Sequence, residues 1–432
     1  MSPTDLDTRI RTGLAATAER VTAPDHAALV ARLEHAGTPA RRARHRAPGL
    51  AAAAVVAVLL AAAALAVTRS DDGGSEVATA PPSTTVAPTP TGLAAVLGPG
   101  WHPLDTGPVE PDEGTALVWA GDELVVITST GAAWVLSADE LAWRPISPAP
   151  VPGAGAGITG VWTGAEVVIA IQDIGGTTSA AWDPTTDTWR DLGAVPLAPV
   201  LAEYGYSTAA TWPTRLIWTG ERVVDPARLA VLDPTAGGWA TMPLPAGVDG
   251  SPHLLSGEMV WDGDELVWVA WVGEGLAWDA RVTSSRAVPE APVEVAGDPA
   301  VVPRARVVVA GGEVVLVGGI GPRGSDPSGG AMALDARAGV WRRLPDVPGV
   351  SDETGCPMAV AAVAGRPVVQ RCDDHAVVAL DGEAWVDTGA EEAGAGQWLS
   401  TGDALVVWAS ATDTLNDPEA PYVRAWVWVP PT

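Results

Sequence analysis

The chain reads as an all-β protein, a seven-bladed β-propeller, on three observations. An apolar strand, a glycine turn and a second apolar strand recur seven times between residues 116 and 409. Downstream of three copies an Asp stands six residues before a Trp, and two further copies keep the Trp with a changed residue or a shorter turn. Glycine (48) and proline (39) together make about a fifth of 432 residues, which suits many short strands joined by turns better than long helices. The length is too great for one ordinary core unless the fold is a barrel or a ring of repeats.

The first 99 residues are organised differently. Residues 1–47 carry Leu6, Ile10, Leu14 and Ala18 on one helical face behind a Ser/Thr/Asp start, and Pro24-Asp25 can open a second short helix through Leu33. Two such helices bury little by themselves, so the segment is expected to be a short helical cytoplasmic tail. Pro48–Val67 is an uncharged, Ala-rich run. As a helix it is long enough to cross a bilayer. The cluster RRARHR at 41–46 precedes it, and Arg69 followed by Asp71-Asp72 comes after, which places the N-terminus in the cytoplasm. A cleaved signal peptide is the rival reading, but the segment ahead of the apolar run is long for an n-region, so an uncleaved signal anchor is expected. Residues 68–99 turn to Thr, Pro, Ser, Gly and Ala and read as an extended linker. The propeller is expected over 100–432.

The repeated unit is clearest over Val161–Pro199. A strand turns at Gly164 into a second strand, a Gly/Thr loop leads to a third, and a turn at Asp183–Asp187 opens a fourth at Trp189. The seven turn glycines are Gly121, Gly164, Gly220, Gly263, Gly311, Gly365 and Gly402, spaced 37 to 56 residues apart. That spacing fits four-stranded blades. Asp183 precedes Trp189, Asp233 precedes Trp239 and Asp335 precedes Trp341 by six residues. Ser137 stands in before Trp143, and Asp381 reaches Trp385 through a shorter turn. Asp279 would lead to a Trp at 285, where Ser285 stands instead. The Asp is expected to cap turn N–H groups and the Trp to plug the space between neighbouring sheets. The last copy offers three strands and then stops; Trp101-His102-Pro103-Leu104 has the pattern of the missing outer strand. The N-terminal strand is therefore expected to close the last blade, Trp101 joining Trp143, Trp189, Trp239, Trp341 and Trp385 as structural plugs. Six blades remain the alternative if the irregular copy at 207–243 is not a full blade.

Trp341-Arg342-Arg343-Leu344-Pro345, behind Gly318-Gly319 and Leu334-Asp335, resembles a Kelch repeat, as does Trp182-Asp183-Pro184 with Trp189-Arg190-Asp191-Leu192. The resemblance, to Kelch-like or galactose-oxidase-type repeats, covers roughly 100–432 and implies a β-propeller without implying one chemistry. The absence of Lys and Phe suggests GC-rich coding, as in actinobacterial-like sources.

Charge excludes some functions. From Gly100 onward 16 Arg face 44 acidic residues, a net of −28. Such a module is not drawn to nucleic acid or anionic lipid. The propeller's histidines, His102, His253 and His375, are far apart, and no nucleophile elbow, phosphate loop or zinc spacing is present. A copper-radical site of the galactose-oxidase kind needs a Tyr–Cys cross-link and His ligands that this chain does not supply. Asp373-Asp374 and Asp262 with Asp264 and Glu265 lack the spaced oxygens of a calcium loop. Catalytic residues, metal ligands and cofactors are accordingly expected to be none. Cys356 and Cys372 flank one hairpin within about one register step and are expected to form a disulfide.

In a four-stranded meander the long loops at 145–158, 194–215, 288–303, 319–330 and 410–421 fall on one face. That face is expected to bind a protein or glycan partner, with Glu203, Tyr204, Tyr206, Arg323, Asp326, Asp413 and Asp417 as candidate contacts. The expected function is a non-enzymatic, membrane-anchored, extracytoplasmic binding or sensing module, single-pass with the N-terminus inside. The alternatives are a cell-envelope carbohydrate-active enzyme using loop carboxylates, and a transmembrane regulator whose tail resembles those of anti-sigma factors.

Overall fold

The computed structural model describes residues 92–109, 114–151, 157–173, 176–203, 215–242, 258–274, 277–284, 300–301, 306–318, 320–321, 330–335, 340–349, 357–371, 374–390, 396–409 and 425–431. Residues 1–91, with the tail, the apolar run and most of the linker, lie outside them. Among the described residues no helix is long and apolar enough to cross a membrane.

A short helix α1 (Leu93–Leu97) and strand β1 (Gly100–Pro103) lead into a succession of antiparallel sheets. The first is β2 (Ala116–Ala120), β3 (Glu123–Ile127), β4 (Ala133–Ser137) and β5 (Trp143–Pro145); the second is β6 (Gly157–Trp162), β7 (Val167–Asp173), β8 (Gly176–Asp183) and β9 (Thr188–Ala194). A helix α2 (Pro199–Glu203) precedes the third: β10 (Ile217–Trp218), β11 (Val223–Asp225), β12 (Ala230–Asp233) and β13 (Gly238–Thr241). The fourth holds β14 (Glu258–Trp261), β15 (Leu266–Glu274), β16 (Ala277–Ser284) and β17 (Ala300–Val301). The fifth is β18 (Arg306–Ala310), β19 (Glu313–Val317), β21 (Ala331–Asp335) and β22 (Val340–Leu344), while β20 (Ile320–Gly321) leaves it and adds to the fourth sheet through β17. The sixth is β23 (Pro357–Val363), β24 (Arg366–Arg371), β25 (Val377–Asp381) and β26 (Ala384–Asp387). The seventh is β27 (Gly396–Ser400), β28 (Leu405–Ala409) and β29 (Ala425–Val429), with β1 on its outer edge in register Trp101↔Trp428 and His102↔Val427.

Each glycine of the first turn adopts positive φ, from 61° at Gly311 to 106° at Gly263, a conformation that costs glycine little. Among the described residues burial is greatest in the second strands and falls toward the outer ones. Second strands are apolar runs buried on both faces, as in β3, β7 and β19, because a sheet lies on either side. Outer strands such as β9, β13 and β26 are largely exposed.

The core is divided among the seams between sheets. One cluster joins the first and second sheets through Val118, Ile127, Ile169 and Trp182. Others join second to third, fourth to fifth, fifth to sixth and sixth to seventh. The third meets the fourth through Leu201 of α2, Leu229 and Trp268. The seventh returns to the first through Trp408, Val427, Leu124, Val126 and Leu136, with Leu93 of α1 in the same cluster. The result is an all-β unit of antiparallel sheets, four-stranded except where β20 extends the fourth, β-propeller-like in kind.

One expectation is corrected, and the condition for the six-blade alternative is not met. Asp279 does not end a third strand: it lies near the start of β16, opposite Val272 in the long β15–β16 hairpin, so the Asp-to-Trp spacing was counted from the wrong residue there. The irregular copy within 207–243 forms a full four-stranded sheet, although its strands have only two to four residues.

Candidate functional site

The outer-strand tryptophans connect neighbouring sheets through their indole N–H groups. Trp143 donates to the Asp105 carbonyl at 2.7 Å, Trp189 to the Ser147 carbonyl at 2.7 Å and Trp385 to the Pro345 carbonyl at 2.8 Å. Each acceptor lies four residues after the corresponding Trp of the preceding sheet: Trp101, Trp143 and Trp341. Trp239 donates at 2.7 Å to the Ser179 hydroxyl, which donates in turn to the Gly193 carbonyl, four residues after Trp189. Trp101 donates to the Thr388 hydroxyl at 3.1 Å. Trp341 breaks the pattern. It faces the fourth sheet, and among the described residues its buried indole N–H has no partner. The turn carboxylates act as caps: Asp183 accepts from the Thr185 amide at 2.8 Å, and Asp233 from the Thr235 amide at 2.9 Å. These bonds, led by the Thr185 and Thr235 hydroxyls, hold both carboxyls below the usual carboxylate range. Asp187 is lowered too, chiefly by the Ser147 amide.

The first strands begin beside one another, on the side of the second-to-third-strand loops. Five residues before their turn glycines, the third, fourth and fifth sheets carry Arg215, Glu258 and Arg306. Arg306 Nη1 lies 3.1 Å from Glu258 Oε1, and the Val307 amide donates to Glu258 Oε2 at 2.9 Å. Both carboxylate oxygens are thus engaged from the fifth sheet. Arg215 has no hydrogen bond among the described residues; the charge of Glu258 is what acts on it. Its surface is exposed, yet protein surrounds the guanidinium closely enough for desolvation to pull its pKa below the ordinary value, with Glu258 opposing. An arginine stays charged regardless. At the same level of the seventh sheet, Gln397 Nε2 donates to the Thr115 carbonyl of the first at 2.7 Å. Arg306 is thus paired with Glu258, whose charge also acts on Arg215.

The candidate contacts named from sequence fall elsewhere. Glu203 is the last residue of α2. Tyr204, Tyr206, Arg323, Asp326, Asp413 and Asp417 lie outside the described residues, as do Cys356 and Cys372, although the register beside them pairs Pro357 with Arg371. His102 Nε2 is 3.0 Å from the Gly98 carbonyl, and His375 has φ 57°. Asp262 accepts from the Asp264 and Glu265 amides, both at 2.8 Å, which makes it a turn cap. Asp374 pairs with Arg371. No group of three or more metal-ligating side chains is found among the described residues. The Arg215–Glu258–Arg306 layer was missed in the sequence, although counting back five residues from each turn glycine finds it.

Fold and seams define a β-propeller-like protein. No protein-family model matches the chain, and no curated protein matches it. Among solved structures, a chain in the crystal structure of the mitotic checkpoint complex is similar at 11% identity and a TM-score of 0.44, covering 76% of this chain and 93% of that one. The sheets and seams, not that likeness, carry the description of the fold.

Proposed function

We propose that the chain is a membrane-anchored, extracytoplasmic, seven-bladed Kelch-like propeller that works as a non-enzymatic binding or sensing module. Its cytoplasmic tail is 1–47, its anchor 48–67, its linker 68–99 and its propeller 100–432. The observation that carries the ring is the cyclic succession of apolar seams, the seventh sheet meeting the first. The apolar run Pro48–Val67 behind its arginine cluster supports the anchor and its orientation. A ring of this kind presents the long connections and the starts of the first strands on one face, and the ligand, a protein or a glycan, meets that face.

A thermal-shift screen of the purified full chain against divalent cations and cell-wall glycans tests the reading. Stabilisation by a glycan without its hydrolysis is the expected result. Hydrolysis of the glycan would transfer the chain to the carbohydrate-active enzymes. Recovery of a specific cytoplasmic protein on residues 1–47, with no ligand for the propeller, would favour the transmembrane regulator.

A further inference from the structure

The β15–β16 hairpin of the fourth sheet outruns the strand beside it. β14 begins at Glu258, paired with Val269, whereas β15 and β16 stay paired five residues further, to Glu274 and Ala277. In the other sheets the described second strand passes the described start of the first by at most one residue. At about 3.3 Å per residue the overhang is roughly 16 Å long, on the side of the second-to-third-strand loops. A bare two-stranded ribbon is marginal in water. Here β17 and β20 widen it: Val272, Asp279, Ala300 and Gly321 pair in succession across four strands.

Register fixes which residues share a face. Val267 and Val269 pack into the seam with the fifth sheet. The period of two puts Trp271 and Gly273 of β15, with Trp278 and Ala280 of β16, on that same face. Trp271 and Trp278 are diagonal neighbours, about 7–8 Å apart. The other diagonal holds only Gly273 and Ala280. A glycine inside a strand often marks a place where a ligand approaches closely. Glu258, opposite Val269, is the next diagonal neighbour of Trp271 on this face. Its carboxylate takes Arg306 Nη1 at 3.1 Å, and the Arg306 side chain is 53% exposed, with guanidinium donors to spare.

We infer that the face of the β15–β16 hairpin carrying Trp271 and Trp278, with the Arg306–Glu258 pair at its foot, holds successive rings of a neutral glycan. The C–H face of a pyranose is apolar and stacks on an indole, while its hydroxyls both donate and accept, as Arg306 and Glu258 require. The ion pair is balanced by itself, and the net charge of −28 from Gly100 onward repels a polyanion. This rests on the reading of the long-loop face as the binding face.

The test is saturation-transfer NMR on cellobiose, a neutral disaccharide, with the purified full chain and galacturonate as the acidic comparison. The ring C–H protons of cellobiose should receive saturation, and Trp271→Ala and Trp278→Ala should each weaken binding by about tenfold. Gly273→Val should do the same without lowering the melting temperature, because a β-branched residue suits a strand but adds bulk on the diagonal between the rings. Trp271→Tyr, which keeps a ring, should retain most of the signal. No saturation in the folded wild type, equal saturation in wild type and Gly273→Val, or tighter binding of galacturonate than of cellobiose would overturn the assignment. A glycan that stabilises wild type and Gly273→Val equally would leave the long-loop face as the binding face and refute only the hairpin.

Discussion

Replacing Trp189 and Trp341 by Phe should have opposite signs beyond their shared loss of area. Both tryptophans open outer strands and pack into seams. Trp189 donates to the Ser147 carbonyl at 2.7 Å, whereas the Trp341 indole N–H is buried with no acceptor among the described residues. Each Phe loses about 1 kcal/mol of apolar burial, on the order of 40 Å² at 25 cal/mol per Å². Trp189→Phe also loses a hydrogen bond of about 1 kcal/mol and leaves a carbonyl short of a partner. Trp341→Phe instead removes an unpaired buried donor that costs about 1–3 kcal/mol. The first variant should be destabilised by about 2–3 kcal/mol and the second left near neutral. At about 2 °C per kcal/mol for a unit of this size, their melting temperatures should differ by about 4–6 °C in scanning calorimetry. Equal losses, or a larger loss for Trp341→Phe, would refute the role given to the indole N–H groups.

Two other perturbations test the seams and the turns. A Cβ on Gly160 of β6 would come within 2.6 Å of Val118 Cγ2 in β2, so Gly160→Val should wedge the first and second sheets apart, cost about 1–3 kcal/mol and lower the melting temperature. Asp183, Asp187 and Asp233 are held below the ordinary carboxylate range in the fold. The ionised form is therefore the one the folded state favours. Their contribution is complete above about pH 4 and is lost as pH falls through the lower folded-state values. Melting temperature should fall on that acid limb, and Asp183→Asn with Asp233→Asn should flatten it; an unchanged slope would contradict the capping role.

The parts of the fold that were legible in the sequence are those governed by local chemistry. The turn glycines at 121, 164, 220, 263, 311, 365 and 402 mark positive-φ positions, and all seven adopt them. Val-, Ile- and Leu-rich second strands mark burial on both faces. The Trp101 segment announced itself as an outer strand because its pattern repeats that of the others, and β1 pairs with β29. What escaped depends on long-range contact. The two-residue pairing of β20 with β17 carries no hydrophobic pattern, since a segment of the fifth sheet borrows a partner from the fourth. Helix α2 is a short helix inside what reads as a loop, placed by the packing of Leu201 against Leu229 and Trp268. Asp279 misled because a long hairpin moves the turn away from it. Arg215, Glu258 and Arg306 stand 43 and 48 residues apart and gain meaning only when three first strands are set side by side.

Closure of the ring is the claim on which the propeller reading stands, and a cross-link tests it directly. His102 and Val427 are directly paired across β1 and β29. Facing residues of antiparallel strands have Cα atoms about 4.5–5.5 Å apart, within the span of a disulfide. In a chain with Cys356 and Cys372 replaced by Ala, His102→Cys with Val427→Cys should oxidise spontaneously and yield a 102–427 linked peptide by mass spectrometry after proteolysis, with a raised melting temperature. A folded double variant that keeps two free thiols, or links only between molecules, would contradict a ring closed by its N-terminal strand.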